Sequence, residues 1–182
     1  MATELEIRFL NINIEDFTRR LTLLGATKIG EWMQERFVFQ FPDKKEGEPY
    51  HKWIRLRTNG ETTTVAYKHV HADTLDGTEE VEFAIKNEDM EHAALFFEKC
   101  GFIKEGPQQN KRIRYLFEGA EIDIDTWPNC PPWVEIEGKT EAEIKLLCHK
   151  LGLDFAKGTT KSVLNILIEE YGMDPNQKEC RF

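Results

Sequence analysis

The stretch Glu4-Leu5-Glu6-Ile7-Arg8 alternates charged and apolar side chains near the start of the chain. The side-chain period of a β-strand is two residues, so the charged side chains share one face and the apolar ones share the other. Two carboxylates and one guanidinium on a single face can hold a divalent cation and an anion bound to it. The stretch therefore predicts a strand over residues 3–9 with one polar face that can bind ligands.

Pairs of like charge recur along the chain, and each pair flanks one apolar residue. They are Arg55/Arg57, Glu80/Glu82, Arg112/Arg114, Asp123/Asp125 and Glu135/Glu137, and Lys68 follows the same alternation. A single strand of this kind usually turns its charged face to water. Here acidic and basic pairs occupy separate strands, whereas a solvated sheet usually mixes the two signs between neighbours. The set therefore indicates charged faces that meet inside the protein.

Helical periodicity separates groups of these strands. Amphipathic helices are predicted at residues 14–24, 88–99, 141–151 and 160–171. Strands are predicted at 53–58, 62–70, 79–86, 102–106, 110–118, 120–127 and 133–138, and one strand or a pair of strands at 27–41. The Asn59-Gly60 turn predicts a hairpin between two of these strands. Helices outside and charges inside describe an α+β protein, a closed eight-stranded antiparallel β-barrel whose polar lumen accommodates side chains or one small ligand.

Part of the residue pattern repeats at a constant spacing along the chain, and this repeat is called the internal echo. A shift of 76 residues lays Glu4 and Glu6 on Glu80 and Glu82, and lays the helix at 14–24 on the helix at 88–99. The same shift lays Gly25, Lys28, Gly30 and Arg36 on Gly101, Lys104, Gly106 and Arg112. One offset kept across several elements predicts two similar halves.

Length and composition predict a single domain over residues 1–174 with a frayed tail at 175–182. The net charge of −9 argues against nucleic acid or an anionic membrane surface as a general partner. Four cysteines without close spacing, and no apolar run of membrane-spanning length, indicate a cytoplasmic protein with reduced thiols. A monomer or a homodimer is expected.

Buried charge at this density is unfavourable unless it is paired, or bound to metal and anion. Carboxylates suit hard cations such as Mg²⁺ or Mn²⁺, while arginine and lysine suit phosphate oxygens. The pattern therefore predicts a ligand with several phosphates in a row and a divalent metal. His69 and His71 offer another kind of metal ligand, but without a cysteine or third histidine nearby a solvated pair is the favoured interpretation.

At these residues the chain resembles the CYTH superfamily, the triphosphate tunnel metalloenzymes. The family signature ExExK stands here as Glu4-Leu5-Glu6-Ile7-Arg8, with arginine in the position of the lysine. The resemblance covers about residues 3–171 in the family's order. It continues through Ile54-Arg55-Leu56-Arg57, Tyr67-Lys68, Glu80-Val81-Glu82, Arg112-Ile113-Arg114, Ile122-Asp123-Ile124-Asp125, Val134-Glu135-Ile136-Glu137 and Lys161-Ser162.

The resemblance implies an eight-stranded tunnel that binds a triphosphate and a divalent metal. The implied metal ligands are Glu4, Glu6, Asp123, Asp125, Glu135 and Glu137. The implied triphosphate contacts are Arg8, Arg55, Arg57, Lys68, Arg112, Arg114 and Lys161, with Glu80 and Glu82 orienting the cations or binding metal through water. Glu4, Glu6 and Lys68 are the implied catalytic residues. Arg8 keeps the charge of the family's lysine but changes its reach and hydrogen-bond geometry.

The activity that the resemblance implies is metal-dependent hydrolysis of inorganic triphosphate, a nucleoside triphosphate or thiamine triphosphate. A second metal, or Lys68, would position or activate the attacking water. Two alternatives are a class IV adenylyl cyclase, which makes cyclic AMP and pyrophosphate from ATP on the same tunnel, and a non-catalytic module that binds polyphosphate or nucleotide. Such cyclases can lack a member of the Arg-x-Arg, Asp-x-Asp or Glu-x-Glu pairs, and this chain keeps all three, which favours hydrolysis.

Overall fold

The computed structural model describes residues 5–43, 52–72, 74–75, 78–175 and 180–182. Glu4 of the opening stretch lies outside these residues. The strands are β1 (Leu5–Phe9), β2 (Thr27–Gln40), β3 (Lys52–Thr58), β4 (Thr63–Val70), β5 (Thr78–Ile85), β6 (Ile103–Phe117), β7 (Ala120–Thr126) and β8 (Trp133–Gly138). The α-helices are α1 (Ile14–Leu23), α2 (Met90–Lys99), α3 (Glu141–Lys150) and α4 (Val163–Glu169), with short 3₁₀ turns at Asn87–Asp89 and Phe155–Lys157.

The eight strands form one antiparallel sheet in the order β1-β8-β7-β6-β2-β3-β4-β5. The predicted α+β architecture is confirmed, with a sheet that curls into a half-barrel. Among the residues that the structure describes, no hydrogen-bonded ladder joins β1 to β5. The predicted barrel is therefore a curled sheet with two edges, and the lumen is its concave side.

The internal echo corresponds to a two-fold relation in the fold. Helices α1 and α2 have ten residues each and begin 76 residues apart. Both end at a glycine with positive φ, 79° at Gly25 and 92° at Gly101, the conformation that glycine adopts most readily at a helix end. The two halves of the chain supply β1–β4 and β5–β8. When each strand is exchanged for its counterpart in the other half, β1 for β5 and so on to β4 for β8, the strand order is the same read from the opposite edge. The pseudo-two-fold axis therefore passes between the neighbouring strands β2 and β6.

Strand β6 runs unbroken from Ile103 to Phe117, whereas the sequence predicts two strands separated near Gly106. The register with β2 shifts between Arg36 and Val38, so an irregularity absorbs the interruption without ending the ladder. Gly106 has a φ of 101°, and a Cβ there would approach the Arg36 carbonyl oxygen to 3.1 Å. A glycine is needed at this crossing because the backbones of β2 and β6 pass so closely.

The predicted hairpin at Asn59-Gly60 is confirmed. The Asn59 side chain closes the turn, because its Oδ1 accepts hydrogen bonds from the backbone N–H groups of Glu61 and Thr62 at 2.9 and 2.7 Å. Gly60 supplies the positive φ of 88°. This turn fixes the register that sets Arg55 and Arg57 on one face of β3 and Lys68 on the same face of β4.

Apolar side chains on the other face of the sheet form the core with the helices. One cluster packs α1 and α3 on β7 and β8 through Phe17, Leu21, Ile122, Ile124, Val134, Ile136, Ile144 and Leu147. A second packs α2 on β2, β3 and β4 through Phe37, Phe39, Leu56, Val65, Met90 and Ala94. Each fully buried side chain of this size contributes roughly 1.5–3 kcal/mol. Burial of this face leaves the charged residues on the concave face, since strand side chains alternate.

A third cluster joins α4 and the end of the chain to β7 and β8. Ser162 caps α4 by accepting a hydrogen bond from the Asn165 N–H at 3.2 Å, and Ile166 and Leu167 pack with Trp127 and Trp133. Cys180 is buried in the same cluster, and its carbonyl accepts a 2.7 Å hydrogen bond from the Gln109 N–H. Cys180 thus contacts β6. Residues 176–179 of the predicted tail lie outside the described part, and the division into one domain over residues 1–174 and a frayed tail at 175–182 stays a prediction.

Candidate functional site

The concave face of the sheet encloses a cavity of about 340 Å³ to which all eight strands contribute. This lies at the lower end of the roughly 300–1,000 Å³ typical of small-molecule sites. The charged residues that line it are Glu6, Arg8, Arg36, Arg55, Arg57, Lys68, Glu80, Glu82, Arg112, Arg114, Glu121, Asp125, Glu135 and Glu137. All members of the alternating pairs except Asp123 therefore line one space, because alternate residues of each strand face the concave side.

The two signs of charge occupy different parts of the curled sheet. The cations of the cavity lie on β6, β2, β3 and β4, four neighbouring strands at its centre, with Arg8 on the edge strand β1. The carboxylates lie on β7, β8 and β1 towards one edge and on β5 at the other. The curl brings these regions face to face, since Lys68 on β4 acts electrostatically on Glu135 of β8.

Arg8 is held on the acidic side of the cavity. Its Nε donates to Glu135 Oε2 at 2.7 Å, its Nη2 lies 2.7 Å from Glu6 Oε1, and its Nη1 donates to the Lys161 carbonyl at 3.0 Å. Burial alone would lower the pKa of Arg8, but the carboxylates of Glu135 and Glu6 raise it above its usual range. Arg8 thus ties β1 to β8 and to the segment that precedes α4.

Arg112 and Arg114 on β6 are held by the aspartates of β7. Arg112 forms a two-pronged pair with Asp125, at 2.8 Å from Nε and 2.5 Å from Nη2, and also lies 2.6 Å from Asp123. Arg114 pairs with Asp123 in the same two-pronged way, at 2.8 and 2.7 Å. Burial opposes the charge of both guanidiniums, yet the aspartates raise the pKa of each. In this state Asp123 and Asp125, predicted as metal ligands, bind arginine.

The opposite wall holds a second ion-pair group, on β3, β4 and β5. The Lys68 ammonium lies 2.5 Å from Glu80, and Arg55 bridges Glu80 and Glu82 at 3.1 and 2.7 Å. Arg57 reaches Glu82 only at 3.5 Å. Glu80 and Glu82 therefore orient the cations of β3 and β4, one of the two roles that the resemblance implies for them.

Arg36 on β2 lines the cavity, although it was absent from the sequence-predicted site. It is 7% exposed, hydrogen-bonds to Asn110 and Gln34, and lies 4.8 Å from the ring centre of Trp127. Among the described residues no carboxylate forms an ion pair with it. The available signal was the 76-residue echo, which aligns Arg36 with the predicted site residue Arg112.

The cations at the centre of the sheet are electrostatically crowded. Burial, and then the guanidiniums of Arg57 and Arg55, lower the pKa of Arg36 well below its usual range. The neighbouring Arg55, followed by burial and Arg112, lowers the pKa of Arg57 to about 9. Within the described part of the chain, the buried Nε atoms of Arg36 and Arg55 have no hydrogen-bond partner. Positive charge here exceeds the local negative charge, so this part of the cavity favours an anion.

Glu135 shows the opposite effect on the acidic side. Burial would raise the pKa of this carboxyl group, but the cations Arg8, Arg112 and Lys68 lower it to about 2. Glu135 is therefore ionised at neutral pH. It can act as a hard oxygen ligand as well as an ion-pair partner.

Three sequence-predicted site residues stand apart from the rest. Lys161 presents its backbone carbonyl to Arg8, while its ammonium lies 2.8 Å from both Glu169, the last residue of α4, and Glu170, the next residue, and does not line the cavity. Asp123 is enclosed between Arg112 and Arg114 and likewise does not line the cavity. Glu4 lies outside the described residues, so its predicted role stays a prediction.

The predicted acidic metal ligands do not form a compact three-carboxylate group among the described residues. Two of them, Glu6 on β1 and Glu137 on β8, are direct cross-strand partners and both line the cavity. A pair of carboxylates is enough for Mg²⁺, which usually binds one or two carboxylates and completes its shell with water and substrate phosphates. The donor set of this wall thus fits a hard divalent cation.

Solved structures share this architecture over nearly their whole length. The PH1012 protein from Pyrococcus horikoshii OT3 is 24% identical, with 87% of this chain and 96% of that chain covered at a TM-score of 0.72. A candidate adenylate cyclase from Vibrio parahaemolyticus is 17% identical, with 91% and 98% covered at a TM-score of 0.72. A candidate adenylyl cyclase from Hippeastrum, with a dominant triphosphatase activity, is 14% identical, with 94% and 96% covered at a TM-score of 0.62.

The chain therefore has the fold of these proteins, which agrees with the fold that its resemblance to the CYTH superfamily implies. The cavity is accordingly called the tunnel below. No family model and no curated protein matches the sequence. None of the helices in the described residues is long and apolar enough to cross a membrane.

Proposed function

We propose that this protein is a metal-dependent triphosphatase that hydrolyses a triphosphate bound in the tunnel. The observation that carries the proposal is the group of crowded arginines, Arg36, Arg55 and Arg57, at the centre of the sheet. Their mutual repulsion is relieved when an anion with several charges lies between them. The dominant triphosphatase activity of the structural neighbour from Hippeastrum supports this choice of reaction.

The tunnel cations would hold the phosphates in line across the curled sheet. Arginine guanidiniums bind phosphate oxygens bidentately, and those on β3 and β6 face each other closely enough for Arg112 to affect the pKa of Arg57. Glu80 and Glu82 keep Arg55 and Lys68 oriented before the ligand arrives, so little side-chain ordering is required on binding.

The acidic wall would hold Mg²⁺ or Mn²⁺ through Glu6 and Glu137, together with Glu4 if its side chain follows the alternation of β1. The metal, when bound, would neutralise charge on the phosphate oxygens. Arg8 fixes the position of Glu6 through their 2.7 Å ion pair. In hydrolysis a water oxygen attacks the terminal phosphorus and the bond from that phosphorus to the bridging oxygen breaks. The products are orthophosphate, which contains the water oxygen, and a diphosphate, which keeps the bridging oxygen. Lys68, on the opposite wall, would orient the attacked phosphoryl group.

The neighbours from Vibrio parahaemolyticus and Hippeastrum support class IV adenylyl cyclase as the second candidate. There the ribose 3′-hydroxyl of ATP attacks instead of water, and cyclic AMP and pyrophosphate form. One assay separates the reactions: inorganic triphosphate, ATP and thiamine triphosphate are each incubated with Mg²⁺ or Mn²⁺, and the products are identified. Orthophosphate release supports hydrolysis, and cyclic AMP with pyrophosphate supports the cyclase. Tight binding without turnover would show a non-catalytic module.

The assignment of Glu4 and Glu6 as metal ligands is tested by substitution of these two residues. Glu4→Gln and Glu6→Gln, singly and together, should abolish turnover and weaken Mg²⁺ binding, because each removes an anionic oxygen ligand. Glu91→Gln, which removes an exposed carboxylate on α2, is the matched control and should retain activity. Near-normal turnover in the double variant would refute the assignment of Glu4 and Glu6 as metal ligands.

A further inference from the structure

The outer face of the β4–β5 hairpin carries two imidazoles and a carboxylate in one group. His69 and His71 are two residues apart and lie on one face, and Glu79 is the cross-strand partner of His69 on β5. One ligand atom from each of the three residues lies within 4.8 Å of the other two. This face is opposite the tunnel, because the adjacent residues Lys68 and Glu80 line the cavity.

We propose that His69, His71 and Glu79 form a site for a divalent transition-metal ion of the zinc class. Two imidazole nitrogens and a carboxylate oxygen are a common ligand set for Zn²⁺, with water in the fourth position. Bonds of about 2.0–2.1 Å in a tetrahedral site place neighbouring ligand atoms roughly 3.4 Å apart. His71 Nε2 and Glu79 Oε2 are already 3.4 Å apart. The ring centres of His69 and His71 are 3.8 Å apart, so the two rings would have to move apart for both to bind one ion.

Glu79 and Lys52 are the charged side chains that flank His69 on the neighbouring strands. Lys52, the cross-strand partner of His69 on β3, adds a positive charge near the group. Its ammonium lies 4.6 Å from the ring centre of Phe41 and 3.6 Å from Asp43. Asp43 offsets the charge of Lys52, and Glu79 supplies one negative charge to a bound ion.

The third ligand, Glu79, could not be recognised from the sequence, which is why a solvated histidine pair was the favoured interpretation there. Glu79 is ten residues from His69 along the chain, and only the register of the hairpin brings the two together. Because β5 is an edge strand, an ion bound here would join β4 to the edge of the sheet from outside. The same two strands hold Lys68 and Glu80 in the tunnel, so the ion would stabilise one wall of the tunnel without contacting the triphosphate.

The test is a calorimetric titration of chelator-treated, full-length protein with Zn²⁺. Excess Mg²⁺ is present throughout to occupy the carboxylates of the tunnel. We expect one zinc ion per chain and a higher melting temperature. His69→Ala, His71→Ala and Glu79→Gln should each weaken Zn²⁺ binding by at least about 10-fold, the lower bound found even for residues that only support a ligand. His71 is exposed, so His71→Ala tests the site with little risk to folding, and circular dichroism checks each variant.

Two variants serve as matched controls. His92→Ala removes an exposed imidazole on α2, and Cys100→Ser removes the exposed thiol next to that helix; both should bind Zn²⁺ as the wild type does. X-ray absorption at the zinc edge should show two imidazoles in the first coordination shell. Absence of zinc binding in the wild type, or wild-type affinity in the His69→Ala/His71→Ala double variant, would overturn the proposal.

Discussion

Arg36 and Arg112 occupy equivalent positions in the two halves of the sheet but have opposite environments. Arg112 is paired with Asp123 and Asp125 at 2.5–2.8 Å, and these carboxylates raise its pKa. Arg36 interacts with the neutral side chains of Asn110 and Gln34, and burial together with neighbouring cations lowers its pKa. Both are almost fully buried. The difference comes from the neighbouring strand: β7 supplies aspartates to Arg112, whereas β3 supplies further arginines to Arg36.

The comparison separates arginines whose ion pairs stabilise the fold from arginines whose charge is uncompensated and available to a ligand. On the β6–β7–β8–β1 side nearly every guanidinium has a carboxylate partner, and these pairs connect the strands. At the centre, on β2 and β3, positive charge accumulates at a cost in stability, as expected of binding sites. Substitution of Arg112 should therefore lower stability more than ligand binding, whereas the same substitution of Arg36 should lower ligand binding more than stability.

The largest effect is expected for Arg112→Met. Removal of the guanidinium leaves Asp125 and part of Asp123 as buried charges without their ion pair, which typically costs about 3–5 kcal/mol. Urea denaturation followed by circular dichroism measures the free energy of unfolding. A loss below about 1 kcal/mol would show that the network does not stabilise the fold.

Arg36→Met should show the reverse pattern. Methionine of similar length removes an uncompensated buried charge, so the free energy of unfolding should stay the same or rise. Triphosphate binding should weaken by about 10–100-fold, the equivalent of the 1.5–3 kcal/mol assigned to hydrogen bonds with charged groups. Calorimetric titration with inorganic triphosphate provides the measurement. Unchanged affinity would remove Arg36 from the binding site.

The acidic side should also govern part of the acid stability through Glu135. Its pKa is lowered from 4.5 to about 2, so its ionised form contributes stability that is full above pH 4.5 and lost as the pH falls through about 2. The difference in unfolding free energy between wild type and Glu135→Gln should therefore shrink across this range. Denaturation curves at stepped pH values test this, and a difference that is constant with pH would contradict it.

The smallest effect is expected for Lys161→Ala. The Lys161 ammonium pairs with Glu169 and Glu170 at the surface, and exposed pairs contribute little to stability. Triphosphate affinity should stay nearly unchanged, because the contact with Arg8 is made by the backbone carbonyl, which alanine keeps. A marked loss of affinity would mean that Lys161 turns towards the phosphates when they bind, as the resemblance implies.

Local sequence was enough to predict most strands and most of the residues that face the tunnel. In segments such as Arg112-Ile113-Arg114, the alternation of charged and apolar residues shows directly which side chains share one face of the sheet. The extent of β6 was not predictable locally, because Gly106 resembles a strand end until β2 is seen to continue pairing across it. Cys180 likewise follows a polar segment, and its burial depends on a distant cluster that includes Trp127 and Trp133.

The sequence by itself determined most of the residues that carry charge inward, although not Arg36, because strand periodicity is a local property of the backbone. Only the tertiary structure decided what each charge meets. The sheet order places β7 beside β6 and β3 beside β2, so one arginine is neutralised and its counterpart is not. The hairpin register likewise places Glu79 beside His69. Coulomb interactions depend on distance in space, and distances between strands follow from strand order and register rather than from separation along the chain.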